Sequence, residues 1–163
     1  MRRVLIFGNS GSGKSTIASR LADESGLAHM DLDSLAWLPT KPPQRMPLTE
    51  SLRLMSEFTS KNESWVVEGC YTDLLEALSD KASEALFLDL SVEQCMENAK
   101  ARPWEPHKYK SREEQDANLE MLLRWIVQYE SRDDVFSLAA HTRFFEDFPG
   151  TKTRVVSNEH SFV

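Results

Sequence analysis

The chain has 163 residues, of which 28% are charged and 40% hydrophobic, and its net charge is −7 at pH 7. That length suits a single domain, 1–163, with a full core and is short for two. The acidic balance lacks the broad basic field of non-specific nucleic-acid binders, and no apolar run approaches the ~20 residues of a membrane span. Cys70 and Cys95 make neither a disulfide framework nor a metal cluster, so a reducing, cytoplasmic setting is expected. Met1-Arg2-Arg3 imitates the start of a signal peptide, but the apolar run behind it is too short.

That run, Val4-Leu5-Ile6-Phe7, reads as a buried strand. It leads into Gly8-Asn9-Ser10-Gly11-Ser12-Gly13-Lys14-Ser15-Thr16, which fits the phosphate-loop pattern G-x-x-x-x-G-K-S/T with Gly8, Gly13, Lys14 and Ser15 at the fixed positions. A helix follows from Lys14 to Glu24, with Ile17 and Leu21 on one face and Gly26 as its stop. Strand, glycine loop and helix in that order are what the chemistry needs. Consecutive backbone N–H groups supply the many donors a triphosphate requires, Gly11 and Gly13 let backbone approach it, and the helix start adds its positive dipole end. Lys14 is then expected to reach the β- and γ-phosphates of ATP and the Ser15 hydroxyl to ligate Mg²⁺.

Leu27 to Asp31 reads as a second strand, with Asp31 and Asp33 at its carboxyl end, where open α/β sheets bind ligands. Spaced two apart, they share a face in extended chain. They position a substrate hydroxyl, accept its proton or hold Mg²⁺ through water, or else they cap a turn. Trp37 to Pro47 contains four prolines and is expected to be a stiff, irregular connection. Thr49 is the expected N-cap of a helix that buries Leu52, Met55 and Phe58.

Trp65 to Gly69 is the third strand, ending in Glu68-Gly69, and Ala85 to Leu90 the fourth, containing Asp89. Either acid is a candidate to organise the metal's shell. Ser91 with Gln94, and Ser111 with Glu114, form capping boxes opening two further helices. Between those helices lies Arg102 to Arg112, with two prolines, aromatics and four cations but no period, the expected mobile lid. A helix through Phe136 to Phe148 stops at Pro149-Gly150, and Thr153 to Ser157 is the fifth strand. Alternating strands and helices imply α/β architecture: a parallel sheet covered on both faces by right-handed crossovers.

On these residues the chain resembles the nucleotide-kinase-like branch of phosphate-loop proteins, which includes adenylate kinase, shikimate kinase and the DNA topology modulation proteins. The resemblance implies a three-layer, doubly wound fold with a five-stranded parallel sheet in the order 2-3-1-4-5. Glu68-Gly69 falls where those kinases carry Asp-Gly. Asp31-Leu32-Asp33 is similar to the Asp-x-Asp of shikimate kinases, which serves the metal and the accepting hydroxyl, though the rest of the shikimate-binding pattern is absent, as is the adenylate-kinase acceptor pattern. Arg102 matches the arginine that opens the lid, and Arg132, with Arg124 behind it, resembles the arginine that follows it. The function so implied is Mg²⁺-ATP-dependent phosphoryl transfer to a small-molecule or nucleotide acceptor, using Lys14, Asp33, Arg102 and Arg132 for catalysis and Ser15, Glu68 and Asp31 for the metal. The rival expectations are a nucleotide-dependent module binding nucleic acid or a protein partner, and a simple NTPase switch.

Overall fold

The computed structural model describes residues 1–159. Five strands, β1 (Arg3–Gly8), β2 (Ala28–Asp31), β5 (Trp65–Glu68), β6 (Glu84–Leu88) and β7 (Thr151–Val155), form one parallel sheet in the order β2-β5-β1-β6-β7. Counting only the strands of this sheet, that is the expected 2-3-1-4-5. The other two strands, β3 (Trp37–Leu38) and β4 (Gln44–Arg45), pair with each other as an antiparallel ribbon.

β1 sits centrally because its residues are apolar on both faces, as a doubly covered strand requires. Leu5 and Phe7 enter one core with Trp65, Val67 and Phe87; Val4 and Ile6 enter the other with Val66, Leu86 and Leu88. The first core is covered by α2 (Asp33–Ala36), α3 (Leu48–Lys61), α4 (Thr72–Glu76) and α7 (Leu138–Asp147). The second is covered by α1 (Lys14–Ser25), α5 (Val92–Ala101) and α6 (Arg112–Val127). Phe7 stacks on Phe87 at 5.1 Å and meets Phe144 edge-on at 5.0 Å, so Phe7→Ala would cost about 3–5 kcal/mol.

Local expectations fail in four places. The proline-rich connection is not irregular, since Trp37 and Leu38 pair with Arg45 and Gln44. Thr49 lies inside α3, whose N-cap is Pro47; the Pro47 carbonyl takes up the Glu50 and Ser51 N–H groups, so no side-chain cap is needed. The last helix begins at Leu138, not Phe136, because Ser137 accepts the Ala140 N–H. β7 starts two residues earlier than expected: Thr151 N–H bonds to the Ser83 carbonyl directly after Gly150. The two serine caps do form, Ser91 on Gln94 and Ser111 on Glu114, but the Gln94 side chain reaches forward to Asn98 instead of back.

Candidate functional site

The carboxyl ends of the five parallel strands lie along the edge of the sheet from which the phosphate loop leaves β1. Gly13 (φ 92°) caps α1 without a side chain, and no acid occupies the helix's first turn, so its free N–H groups carry undiminished positive potential. Gly11 (φ 78°) is required for a different reason from the one its sequence suggests. A Cβ there would lie 2.4 Å from the Cys95 carbonyl of α5, so the missing side chain makes room for protein as well as for phosphate. Lys14 Nζ donates to the Asn9 carbonyl at 2.8 Å. Ser10, Gly11, Gly13, Lys14, Ser15 and Thr16 line a cleft of about 460 Å³. Gly8, Asn9 and Ser12 are buried behind it, and Asn9 Nδ2 donates to the Ile126 carbonyl.

Beside α1 stands a group of acids. Ser15 Oγ donates to Glu68 Oε1 at 2.8 Å, and Glu68 is only 2% exposed. His29 Nε2 lies 3.6 Å from the same oxygen. Burial, then the nearby Glu68 and Asp33, push the Asp31 carboxyl up to about 6, against the pull of the Asp33 N–H and Lys108. Asp89 faces away: it binds Arg154 of β7 and has no part in the cleft lining. Among the described residues no three His, Cys, Asp or Glu side chains group as a protein-only metal cage.

Behind Asp33 stands an aromatic group that does not itself line the cleft. The Tyr71 hydroxyl donates to Asp33 Oδ1 and accepts from Trp37 Nε1 at 2.7 Å. The other Asp33 oxygen is 3.6 Å from Lys108 Nζ. Arg45 of β4 lies over the Tyr71 and Phe136 rings and pairs with Asp73 at 3.0 Å. The loop carrying Tyr71 is pinned from beneath by His141. A carbonyl only accepts, so the 2.8 Å contact with the Cys70 oxygen puts the proton on Nε2, and Nδ1 accepts from Tyr129 at 2.7 Å. Burial pushes His141 down to about 4 and the Cys70 thiol up to about 12, leaving both neutral.

The 102–112 segment lies over this cleft. Lys108 reaches Asp31 (3.9 Å), Asp33 (3.6 Å) and Glu105 (3.5 Å). Burial alone would lower its pKa, but Asp33, Asp31 and Glu105 outweigh burial and raise it. Arg102 also lines the cleft and pairs with Glu105 at 3.1 Å. Arg132 is not part of the lining: its guanidinium stacks 3.6 Å from the Trp125 centroid, and Nη1 donates to the Trp125 carbonyl at 2.7 Å. Arg124 pairs with Glu120 on the exposed side of α6. The structure thus brings Lys14, Ser15, Asp31, Asp33, Glu68 and Arg102 together and leaves Arg132 and Arg124 outside. Sequence reasoning missed Tyr71, although it follows the strand-end Glu68-Gly69 by only two residues.

The AAA domain family matches residues 4–119, from β1 into α6. The chain belongs to the AAA domain family. This AAA-domain chain is therefore a phosphate-loop, nucleotide-binding protein. Among solved structures it is similar to an unliganded sugar kinase from Janibacter sp. HTCC2649, at 16% identity and a TM-score of 0.52, over 96% of this chain and 85% of that one. At that identity the likeness concerns the fold. No curated protein matches this chain. No helix of the AAA-domain chain among the described residues is long and apolar enough to cross a membrane.

Proposed function

We propose that the protein is a Mg²⁺-ATP-dependent phosphotransferase acting on the hydroxyl of a small acceptor. The observation that carries this reading is one cleft with a phosphate-binding end, Lys14 and the α1 N-terminus, and a carboxylate, Asp33, at the other. A phosphate loop alone would serve a switch; a held carboxylate facing it suits transfer to a second substrate. The sugar kinase likeness agrees with a small hydroxyl acceptor, and the net charge of −7 disfavours nucleic acid. Closeness to the DNA topology modulation proteins rests on the sequence resemblance alone.

The donor set fits Mg²⁺. Ser15, Glu68 and Asp31 offer hard oxygens without a closed cage, as suits an ion that keeps its waters and phosphate ligands, and a cation offsets the burial and the neighbouring carboxylates that raise Asp31. When bound, Mg²⁺ supplies charge neutralisation to the phosphates. Lys14 exchanges the Asn9 carbonyl for phosphate oxygens, and the α1 N–H groups hold the rest. Tyr71 fixes one oxygen of Asp33, so the other is aimed at the acceptor hydroxyl and orients it or takes its proton. Arg102 and Lys108 stabilise charge on the transferring group as the lid excludes water. Arg132 joins them only if closure draws it off Trp125.

The test is a screen of sugars, nucleosides, nucleotides and hydroxy acids for accelerated ADP release with Mg²⁺-ATP, confirmed by phosphorus NMR of the product. One acceptor raising turnover well above its absence is the expected result. ATP hydrolysis that no acceptor accelerates would favour the NTPase switch.

A further inference from the structure

The phosphate loop is held from behind by side chains that no phosphate-loop pattern contains. Asn98, in the middle of α5, donates from Nδ2 to the Gly11 carbonyl at 2.8 Å and to Asn158 Oδ1 at 2.8 Å. Asn158, just past β7, donates from Nδ2 to the Ser12 carbonyl at 3.0 Å. Gln94, one turn earlier on α5, donates from Nε2 to Asn98 Oδ1 at 2.9 Å. The amide orientations are forced. The Gly11 and Ser12 carbonyls can only accept, so each asparagine must present its nitrogen to the loop, and each Oδ1 is left to take the next amide in line. The result is a directed ladder, Gln94 to Asn98 to Asn158, ending on two consecutive carbonyls at the crest of the loop.

A peptide's carbonyl and N–H point in opposite directions, so fixing the Gly11 and Ser12 carbonyls outward fixes the following N–H groups, those of Ser12 and Gly13, away from the brace. The Ser12 N–H is already taken by the Asn9 carbonyl at 3.2 Å. That of Gly13 is left at the start of α1, on a residue that lines the cleft. Gly13 has a second constraint beyond its positive φ: a Cβ would lie 3.0 Å from Asn158 Nδ2, so the brace and the glycine fit against each other. Asn158 is exposed and Asn98 half-buried, so these are weak contributors to the core and well placed to act on the loop alone.

We infer that Asn98 and Asn158 are positioning residues for polyphosphate binding, orienting the phosphate loop through its Gly11 and Ser12 carbonyls. The inference rests on the nucleotide-binding part of the function proposed above and adds to it a support absent from the motif. Preorganised donors bind better than donors that must be ordered on arrival. Losing the brace therefore weakens affinity without removing any group that touches the ligand.

Binding of ATP and of inorganic tripolyphosphate to wild-type protein and to Asn98→Leu, Asn158→Leu and the double variant, by calorimetry, tests this, with thermal melting of each ligand-free protein alongside. Each single change is expected to weaken both ligands about tenfold, the scale of one hydrogen bond. The double variant should lose less than the product of the two, because the residues share one network, and Tm should move by only a few degrees. Gln94→Ala, one link further out, should show a smaller loss in the same direction. Equal losses for both ligands place the effect on the phosphate loop. Loss for ATP with unchanged tripolyphosphate binding would mean that Asn158 serves the base and overturns the inference, as would unchanged binding of both. Wild-type protein that binds neither ligand would overturn the nucleotide reading itself, and this inference with it.

Discussion

The two ends of the cleft are built differently. At the phosphate end, the loop leaves a central strand that is buried on both faces, enters a twelve-residue helix, and packs so closely that Gly11 has no room for a methyl group beside Cys95. At the other end, the proposed acceptor side, stand a four-residue helix, a ribbon of two-residue strands and a segment without regular structure, with Trp37 and Trp104 exposed. Leu35 and Ala36 anchor the short helix in the core, while ion pairs and single hydrogen bonds hold the ribbon and the 102–112 segment. A phosphate chain is the same object in every nucleotide, so the first end can be rigid; the acceptor must be admitted, covered and released, which asks for elements of low local stability.

The most severe test of this division is Lys14→Ala. It should lower ATP turnover about 10³-fold or more while Tm stays nearly unchanged, because Lys14 contributes no core packing; normal turnover would remove the phosphate end from the account. Asp33→Asn should slow transfer to the acceptor about 10²-fold with ATP affinity, measured by calorimetry, left intact. A variant that instead loses ATP binding would show that the two ends are not separable.

His141 lies where they join, under the Cys70-Tyr71 loop. Its folded pKa, about 4, is depressed from 6.5. The unfolded chain therefore binds the extra proton first, and this contribution to stability is full above pH 6.5 and lost as pH falls from 6.5 towards 4. The loss amounts to at most about 3 kcal/mol. Denaturant melts across that range should show it, and His141→Gln should flatten that part of the curve. A smaller effect sharpens the metal assignment: Glu68→Gln should raise the Mg²⁺ concentration needed for half-maximal turnover about tenfold, the scale of a supporting ligand contact, and Asp89→Asn far less, since Asp89 is occupied by Arg154. The reverse order would put the metal beside β6. Finally, proteolysis at Lys108 and Lys110 should slow several-fold with a non-hydrolysable ATP analogue if the 102–112 segment is a lid, with Trp104 fluorescence moving in parallel. Identical digestion with and without nucleotide would make it a fixed cover.

The same division explains what could be read from the sequence. The phosphate loop, the five main strands and the apolar faces of α1, α5 and α6 were legible because each is written in neighbouring residues: a motif, an apolar run or a helical period. Glu68 and Asp33 were legible as acids at strand ends. The ribbon was not, because four prolines mask two-residue strands whose pairing depends on a partner across a turn. Tyr71 and Lys108 meet Asp33 only through the tertiary fold, across 38 and 75 positions, and no period links them. Arg132 illustrates the opposite case. Its place after the lid suggested a catalytic cation, but an aromatic face and a backbone carbonyl already hold it.

The amide brace also has a consequence for how the protein is made. The phosphate loop is made well before its brace, since Asn158 follows Ser12 by 146 positions. At ordinary rates of synthesis, about 5–20 residues per second, that is a delay of roughly seven to thirty seconds. Over the same interval β1 waits for its neighbours β5 and β6. A nascent chain thus carries the motif long before it carries the grip. A chain that has not yet reached Asn158 is therefore expected to hold nucleotide more weakly, and full affinity arrives only with the last brace.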